Sequence, residues 1–340
     1  MPAPILIVGQ GIAGTALGWE FERAGFSFEI ADAGLAGAAS RVAAGIVNPI
    51  TGQRFVKNWR VDSLLAPARA FYREIESELS LRIVSDVRVW RMFAGPSDFA
   101  RAKEKADRGE WSPYADAAAV SPEGFWIEGG FQVDLPALLQ ASRHRWIRRG
   151  ILQERHVNLA EEEARRDIVI LCTGAGIEDE RRLGGRLKFE RAKGEVIDVA
   201  SAQAPFEPGV VRNQGAWVLP RDRSTAQVGS TYDREAEDLA PTPKGREALE
   251  AQFHRMYPKV DYHVAAQHCG WRMSVPDRRP VAGRVPGRER TGIVNGLSSK
   301  GTLTAPWIAR QWVHHLAEGI AFDADVAIGR CWQDCLKACD

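Results

Sequence analysis

Apolar residues in this chain fall into two patterns, and each predicts a different kind of sheet. Short unbroken runs come first: Ile5-Leu6-Ile7-Val8 near the start and Ile168-Val169-Ile170-Leu171 in mid-chain. Such runs suit a parallel sheet buried on both faces. Gly292-Ile293-Val294-Asn295-Gly296 repeats the pattern, and Phe26 to Ala31 predicts one more strand. Between strands lie helical stripes. Ala13, Leu17, Phe21 and Ala24 share one helix face, with Gly25 as a natural stop. Ala305, Ile308, Ala309, Trp312 and Leu316 share another, in a helix expected to hold Pro306 in its first turn. The second pattern alternates. Ser85 to Met92 sets apolar and polar residues by turns, with a slip at Trp90, and predicts a half-exposed antiparallel strand. Residues 216–219 and 226–231 predict a hairpin around Pro220-Arg221-Asp222-Arg223. The polar, Pro- and Glu-rich stretch 233–246 reads as a surface connection. The expectation is an α/β fold with an antiparallel sheet inserted into it.

The first strand runs into a glycine turn whose spacing has a chemical reason. Gly9, Gly11 and Gly14 allow, in order, a tight turn, close approach of backbone to a pyrophosphate, and packing of helix on strand. Asp32 ends the second strand, 18 residues past Gly14, where a carboxylate can accept from both ribose hydroxyls of an adenosine and would repel a 2′-phosphate. Strand, turn, helix and acid together predict a Rossmann-like fold for FAD or NAD, and the motif alone does not separate the two. Three further loops fit a flat ligand. Ala39 to Pro49 is rich in small residues, Thr173-Gly174-Ala175-Gly176 ends a buried strand, and Gly296 to Thr302 runs into a helix. A helix that starts after a glycine loop aims backbone N–H groups and its positive dipole end at whatever sits there.

Composition narrows the class. With 340 residues, two domains sharing a core are expected, and 45% hydrophobic against 26% charged residues is ordinary for a soluble globular chain. There are 45 Lys and Arg against 44 Asp and Glu, a net charge of +1. A protein built mainly to hold nucleic acid carries a basic excess, so nucleic acid is not the default partner. The start lacks the basic residues of a signal peptide, and no apolar run approaches the roughly 18 residues of a membrane span. The five cysteines, with no paired spacing, point to a reducing, cytoplasmic setting. Cys331, Cys335 and Cys339 would share a helix face, but zinc sites more often show CxxC pairs, so no metal is expected.

These stations, in this order, resemble the D-amino-acid oxidase/glycine oxidase superfamily of flavoenzymes. The matching strings include Ala43-Ala44-Gly45-Ile46, Gly130-Phe131-Gln132-Val133-Asp134, Cys172-Thr173-Gly174-Ala175, Ala192-Lys193-Gly194-Glu195-Val196, Leu219-Pro220-Arg221, Val228-Gly229-Ser230-Thr231 and Gly270-Trp271-Arg272 with Pro276-Asp277. The string Gly296 to Pro306 looks most like the oxidase half of bifunctional wobble-uridine tRNA-modifying enzymes. The resemblance implies a glutathione-reductase-type FAD-binding domain from residues 1–80, 130–190 and 266–340, and a substrate-binding domain from 81–129 and 191–265. It implies FAD contacts at Gly9, Gly11, Ile12, Ala13, Gly14, Asp32, Ala33, Arg41, Ala43, Ala44, Gly45, Ile46, Thr173, Gly174, Gly296, Ser299, Lys300, Gly301 and Thr302.

It also implies a chemistry: hydride passes from the substrate carbon beside a neutral amine to flavin N5, and the imine product hydrolyses in water. Arg272 matches the anchor for a substrate carboxylate, a role that suits a guanidinium with two parallel donors. Lys300 and the N–H groups of Gly301 and Thr302 would face the flavin edge where negative charge develops. Tyr232 lies in a substrate-contacting segment of some relatives, and Trp217 and Trp271 are candidate aromatic walls, with Trp217 better placed as core. Gln227 stands near the position where one branch carries an oxygen-activating lysine, which leaves oxygen use open. Cys269 falls one residue out of register with a flavin-linked cysteine of that branch, so FAD is expected to be non-covalent. The expected partner is a small amine or amino acid. A tRNA would need a basic track such as Arg278, Arg279, Arg284, Arg288 and Arg290, or Arg143, Arg145, Arg148 and Arg149, and such runs are more often solvated faces. An NAD-dependent dehydrogenase and a non-catalytic flavin-binding protein are the readings of other classes.

Overall fold

The structure is a computed structural model and describes residues 4–34, 37–179 and 186–332. In chain order its strands are β1 (Ile5–Val8), β2 (Phe28–Ala31), β3 (Ile46–Val47), β4 (Ile50–Thr51), β5 (Val56–Lys57), β6 (Val84–Met92), β7 (Gly124–Val133), β8 (Leu152–Gln153), β9 (Ile168–Leu171), β10 (Glu190–Ala200), β11 (Val210–Gln214), β12 (Ala216–Pro220), β13 (Thr225–Gly229), β14 (His263–Ser274), β15 (Val281–Val285) and β16 (Arg288–Asn295). The helices are α1 (Ile12–Arg23), α2 (Val61–Leu79), α3 (Pro96–Asp107), α4 (Leu135–Arg148), α5 (Leu159–Arg165), α6 (Pro243–Met256) and α7 (Gly301–Glu318).

The unbroken apolar runs form the first sheet, of order β15-β16-β9-β1-β2-β8. All its pairs are parallel except β15 with β16. The second sheet has eight strands, β14-β10-β13-β12-β11-β6-β7-β3, and is antiparallel apart from one parallel pair, β6 with β11. The expected hairpin is there as β12 and β13. The fold is therefore Rossmann-like α/β with an inserted, mainly antiparallel sheet.

Some elements depart from expectation for identifiable reasons. The second strand starts at Phe28, two residues late. Helix α1 is buried all round from Ile12 to Phe21 instead of along one stripe, because α7 packs on it from outside and α4 crosses it at Gly18. A Cβ on Gly18 would stand 2.8 Å from Trp146 of α4. Ala24, counted in the stripe, caps the helix and is exposed. Pro306 lies in the second turn of α7, because the helix begins at Gly301. Residues 233–246 are a surface connection only as far as Thr242, whose side chain caps α6 from Pro243 onward. Helices α2 and α3 fall where sequence patterning placed no element. Cys335 and Cys339 lie outside the described residues.

The two faces of the second sheet have different fates. One carries Ile197, Val199, Val218, Ala226 and Val228 and is covered by Leu249, Phe253 and Met256 of α6. Val211 and Leu219, on the other face, join the main core beneath the first sheet. Strand β14 of this sheet packs on the turns that follow β9 and β16, at the carboxyl ends of the parallel strands, where ligands of open α/β sheets bind.

Candidate functional site

At the glycine turn, backbone is packed too tightly for side chains. Gly9 takes a φ of +98°, donates to the Ala31 carbonyl at 2.8 Å, and a Cβ there would lie 2.6 Å from the Cys172 carbonyl oxygen. A Cβ on Gly14 would overlap the Gly9 carbonyl. The N-cap of α1, Gly11, has no side chain to cap with, and the Ile12 N–H donates to Ser40 Oγ at 3.0 Å. The loop holding Ala39 and Arg41 is thereby fixed to the turn. Asp32 accepts from the Gln10 N–H at 3.1 Å and from Arg143 at 2.7 Å, and Arg41 stands 3.8 Å away. A cavity of about 200 Å³ opens beside it, lined by Asp32, Ala33, Gly34, Arg143, Glu154, Arg155 and His156.

Other predicted loops converge on this turn. A Cβ on Gly301 would meet Ile12 at 3.2 Å, so the first turn of α7 sits against the start of α1. Neither helix start is capped by its own N-cap side chain. Two positive dipole ends therefore point into one region. Asn295 donates to the Gly174 carbonyl at 2.9 Å and accepts from the Gly296 N–H at 2.7 Å, joining the ends of β9 and β16. Thr173 Oγ1 is buried there with no hydrogen-bond partner, and a Cβ on Gly174 would meet nothing within 4 Å. Gly45, at φ +71°, passes so close to the Val133 carbonyl that no side chain fits. Ala43, Ala44 and Ile46 flank it.

The second sheet brings Arg272. Side chains alternate along a strand, so Arg272 and Gly270 share one face of β14, and Trp271 and Cys269 the other. Gly270 lies against the Ala39 loop, where a Cβ would be 3.2 Å from Ala39 Cα. The Trp271 N–H donates to Gly37 at 2.9 Å. That face of β14 is thus docked on the glycine-turn loops, and β14 also packs on the turns Gly174–Asp179 and Ser298–Lys300. The Arg272 guanidinium fits because Gly194 opposite has no side chain, with Nη2 3.3 Å from where a Cβ would be. Nη2 donates to Ser230 Oγ at 3.1 Å, and Cζ lies 5.1 Å from the Tyr232 ring. Burial pushes its pKa down, countered by Tyr232, yet a guanidinium stays charged. Among the described residues no carboxylate lies within 4.0 Å of it. A desolvated, unpaired cation is costly to keep, and the arrangement is ready for an anionic guest.

Trp217 is on this same face, two strands beyond β10. Its indole covers Gly229, where a Cβ would be 2.6 Å from Cζ2. Trp217 is partly buried and packs against the main core, as expected, and Gly229 beneath it precedes Ser230. Lys300 is partly buried at the start of α7. Its Nζ donates to the Arg278 carbonyl at 3.3 Å, and burial together with Arg278 and Arg279 lowers its pKa. Tyr232 is half-exposed, and Ser299 is exposed. Cys269 faces away from Arg272, and burial and the charge of Glu195 push its thiol up to about 11. Sequence patterning does not single out Ser40, Ser230 and Gly194 for these roles, because each acts only across a strand or loop far away in sequence.

The model of the FAD dependent oxidoreductase (DAO) family matches residues 4–314. The chain belongs to this family. It is 26% identical to the glycine oxidase of Pseudomonas aeruginosa over 342 residues, covering 90% of this chain and 92% of that protein. It is 27% identical to the tRNA 5-methylaminomethyl-2-thiouridine biosynthesis bifunctional protein MnmC of Maricaulis maris, covering 93% of this chain but only 52% of that protein, so it spans about half the length of that relative. Among solved structures it is similar to glycine oxidase from Geobacillus kaustophilus, with a TM-score of 0.76 at 19% identity, covering 96% of this chain and 98% of that one. Family membership makes the chain an FAD-dependent enzyme of amine and amino-acid oxidation, and the NAD-dependent reading is set aside.

The residues present fit FAD. The glycine turn keeps side chains out so that backbone alone lines it, neither helix start is capped by its own N-cap side chain, and the Thr173 hydroxyl at the end of β9 is buried without a partner. The basic clusters are largely spoken for. Arg279 pairs with Asp325, Arg288 with Glu163, Arg143 with Asp32 and Glu154, and Arg145 and Arg149 with Glu22. No helix among the described residues is long and apolar enough to cross a membrane.

Proposed function

We propose that the chain oxidises the Cα–N bond of a small amino acid or N-substituted amino acid, of the glycine, sarcosine or D-amino-acid kind. The observation that carries this is the Arg272 guanidinium, partly buried and without a carboxylate partner among the described residues, on a strand whose Gly270 and Trp271 backbone meet the Ala39 loop. Arg272 takes the substrate carboxylate through two parallel donors, and Ser230 holds the guanidinium in plane from one side. The Tyr232 ring forms a floor beneath it, and Trp217 bounds the space on the β12 side. FAD, when bound non-covalently by the loops around Gly9–Gly14, Asp32, Ala43–Ile46, Thr173–Gly174 and Gly296–Thr302, supplies a hydride acceptor at N5. The protein's part is then orientation: a carboxylate fixed at Arg272 places the adjoining C–H bond, and the amine gives up its proton to water beforehand. The imine leaves and is hydrolysed in water.

The part of the chain that holds FAD is assigned to residues 1–80, 130–190 and 266–340, and the part that roofs the substrate to 81–129 and 191–265. A tRNA substrate is the second reading, favoured by the MnmC relative. The internal ion pairs of both arginine clusters speak against it. Purified enzyme offered glycine, sarcosine, D-alanine and carboxymethylaminomethyl-bearing tRNA in turn under steady-state assay separates the two. Turnover of a small amino acid supports the proposal, and turnover of the modified tRNA alone rejects it.

A further inference from the structure

Helix α7 has a built-in defect beside the site. Pro306 has no N–H, so the carbonyl of Thr302, one turn earlier, loses its normal helical donor. That carbonyl belongs to the first turn of α7, and Thr302 is itself buried. An unpaired buried carbonyl is costly. The structure supplies a replacement from another helix: the hydroxyl of Tyr72, on α2, donates to the Thr302 carbonyl at 2.9 Å. Tyr72 is fully buried between Phe71 and Phe131. Burial pushes its pKa up, so the hydroxyl is always a donor.

We propose that Tyr72 is a positioning residue: it repairs the break at Pro306 and fixes the first turn of α7, so that the N–H groups of Gly301 and Thr302 keep their aim at the flavin. This rests on the placement of FAD proposed above. A proline at this point bends the helix and frees the carbonyl, and one side chain from α2 converts that loss into a contact between helices.

The test is a double-mutant cycle of Tyr72→Phe and Pro306→Ala, because an alanine in place of the proline restores the missing N–H. Three readouts are taken: FAD dissociation constant, visible spectrum of the bound flavin, and melting temperature of the apoprotein. Tyr72→Phe is expected to weaken FAD about tenfold, to shift the flavin bands and to lower the apoprotein melting temperature by about 3 °C. In the Pro306→Ala background the same change is expected to cost under about twofold in FAD affinity. An equal cost in both backgrounds, or no cost in either, overturns the proposal. Rescue of the melting temperature with FAD affinity and spectrum unmoved throughout overturns the aim at the flavin and shows a structural bond only. Wild-type protein that binds no FAD would instead reject the site reading beneath it.

Discussion

Gly229 shows how much a single missing atom decides. A Cβ there would sit 2.6 Å from Trp217 and 2.7 Å from Val196, so Gly229→Ala must push the indole off the strand. Overpacking of this kind costs about 1–3 kcal/mol. The expected outcome is a substrate KM raised several-fold with FAD affinity within about twofold of wild type. Unchanged KM would mean that Trp217 walls nothing. Residues with strictly local chemistry are legible in the sequence. Gly9, Gly11 and Gly14 form a spaced motif in one turn, and Arg272 sits in a short, distinctive string. Residues that act across the sheet are not. Trp217 reads as core and does pack against it, but its cover over Gly229, 12 residues away, follows only from the β12–β13 register. The sequence directs the Lys300 ammonium toward the flavin, and its bond to the Arg278 carbonyl, 22 residues away, is a contact no local pattern announces.

At the scale of elements, the strand–turn–helix unit β1–α1 is the firmest prediction and the most exposed to test. Gly14→Ala would drive a methyl group into the Gly9 carbonyl, which is backbone and cannot swing aside. FAD content after purification should fall by more than about tenfold, with a lower melting temperature. Gly329→Ala, which meets nothing within 4 Å, should do neither. Equal FAD content in Gly14→Ala and wild type would contradict the close packing of helix on strand. Strands β1, β6 and β9 are legible because burial on two faces or one leaves its period in the sequence. The helical period of α2 is also present, in Val61, Leu64, Leu65, Ala68, Tyr72 and Ile75. Pro67 inside it masks the signal, as Thr242-Pro243 does for α6 within a polar stretch. Pro243 sits at the first position of α6, where proline is tolerated, whereas Pro67 lies inside α2, where a missing N–H leaves one carbonyl without its helical donor.

For the molecule as a whole, acid sensitivity follows from a buried carboxylate cluster that joins α5 to the first sheet. Burial alone would raise the Glu162 pKa, but hydrogen bonds from Arg165, Arg155 and Arg166 lower it to about 2. Arg166 also pairs with Glu29 of β2 at 2.7 Å. An unfolded glutamate titrates near pH ~4.3. The cluster therefore stabilises fully above that value and loses its contribution as pH falls through about 2. Thermal melts across this window should show wild type losing stability more steeply than Glu162→Gln, and parallel curves would contradict the pairing. The two-sheet architecture is legible from apolar periodicity. The docking of β14 on the glycine-turn loops is not, because it depends on Gly270 having no side chain against Ala39. If Arg272 holds an acid group over FAD, anaerobic mixing of the yellow, FAD-loaded protein with glycine or sarcosine will show it. The wild-type flavin is expected to bleach, and Arg272→Ala, equally yellow, to bleach at least about a hundredfold more slowly at the same subsaturating substrate concentration. Equal bleaching of the two proteins, or FAD-loaded wild type that no carboxylate-bearing amine can bleach, would contradict it.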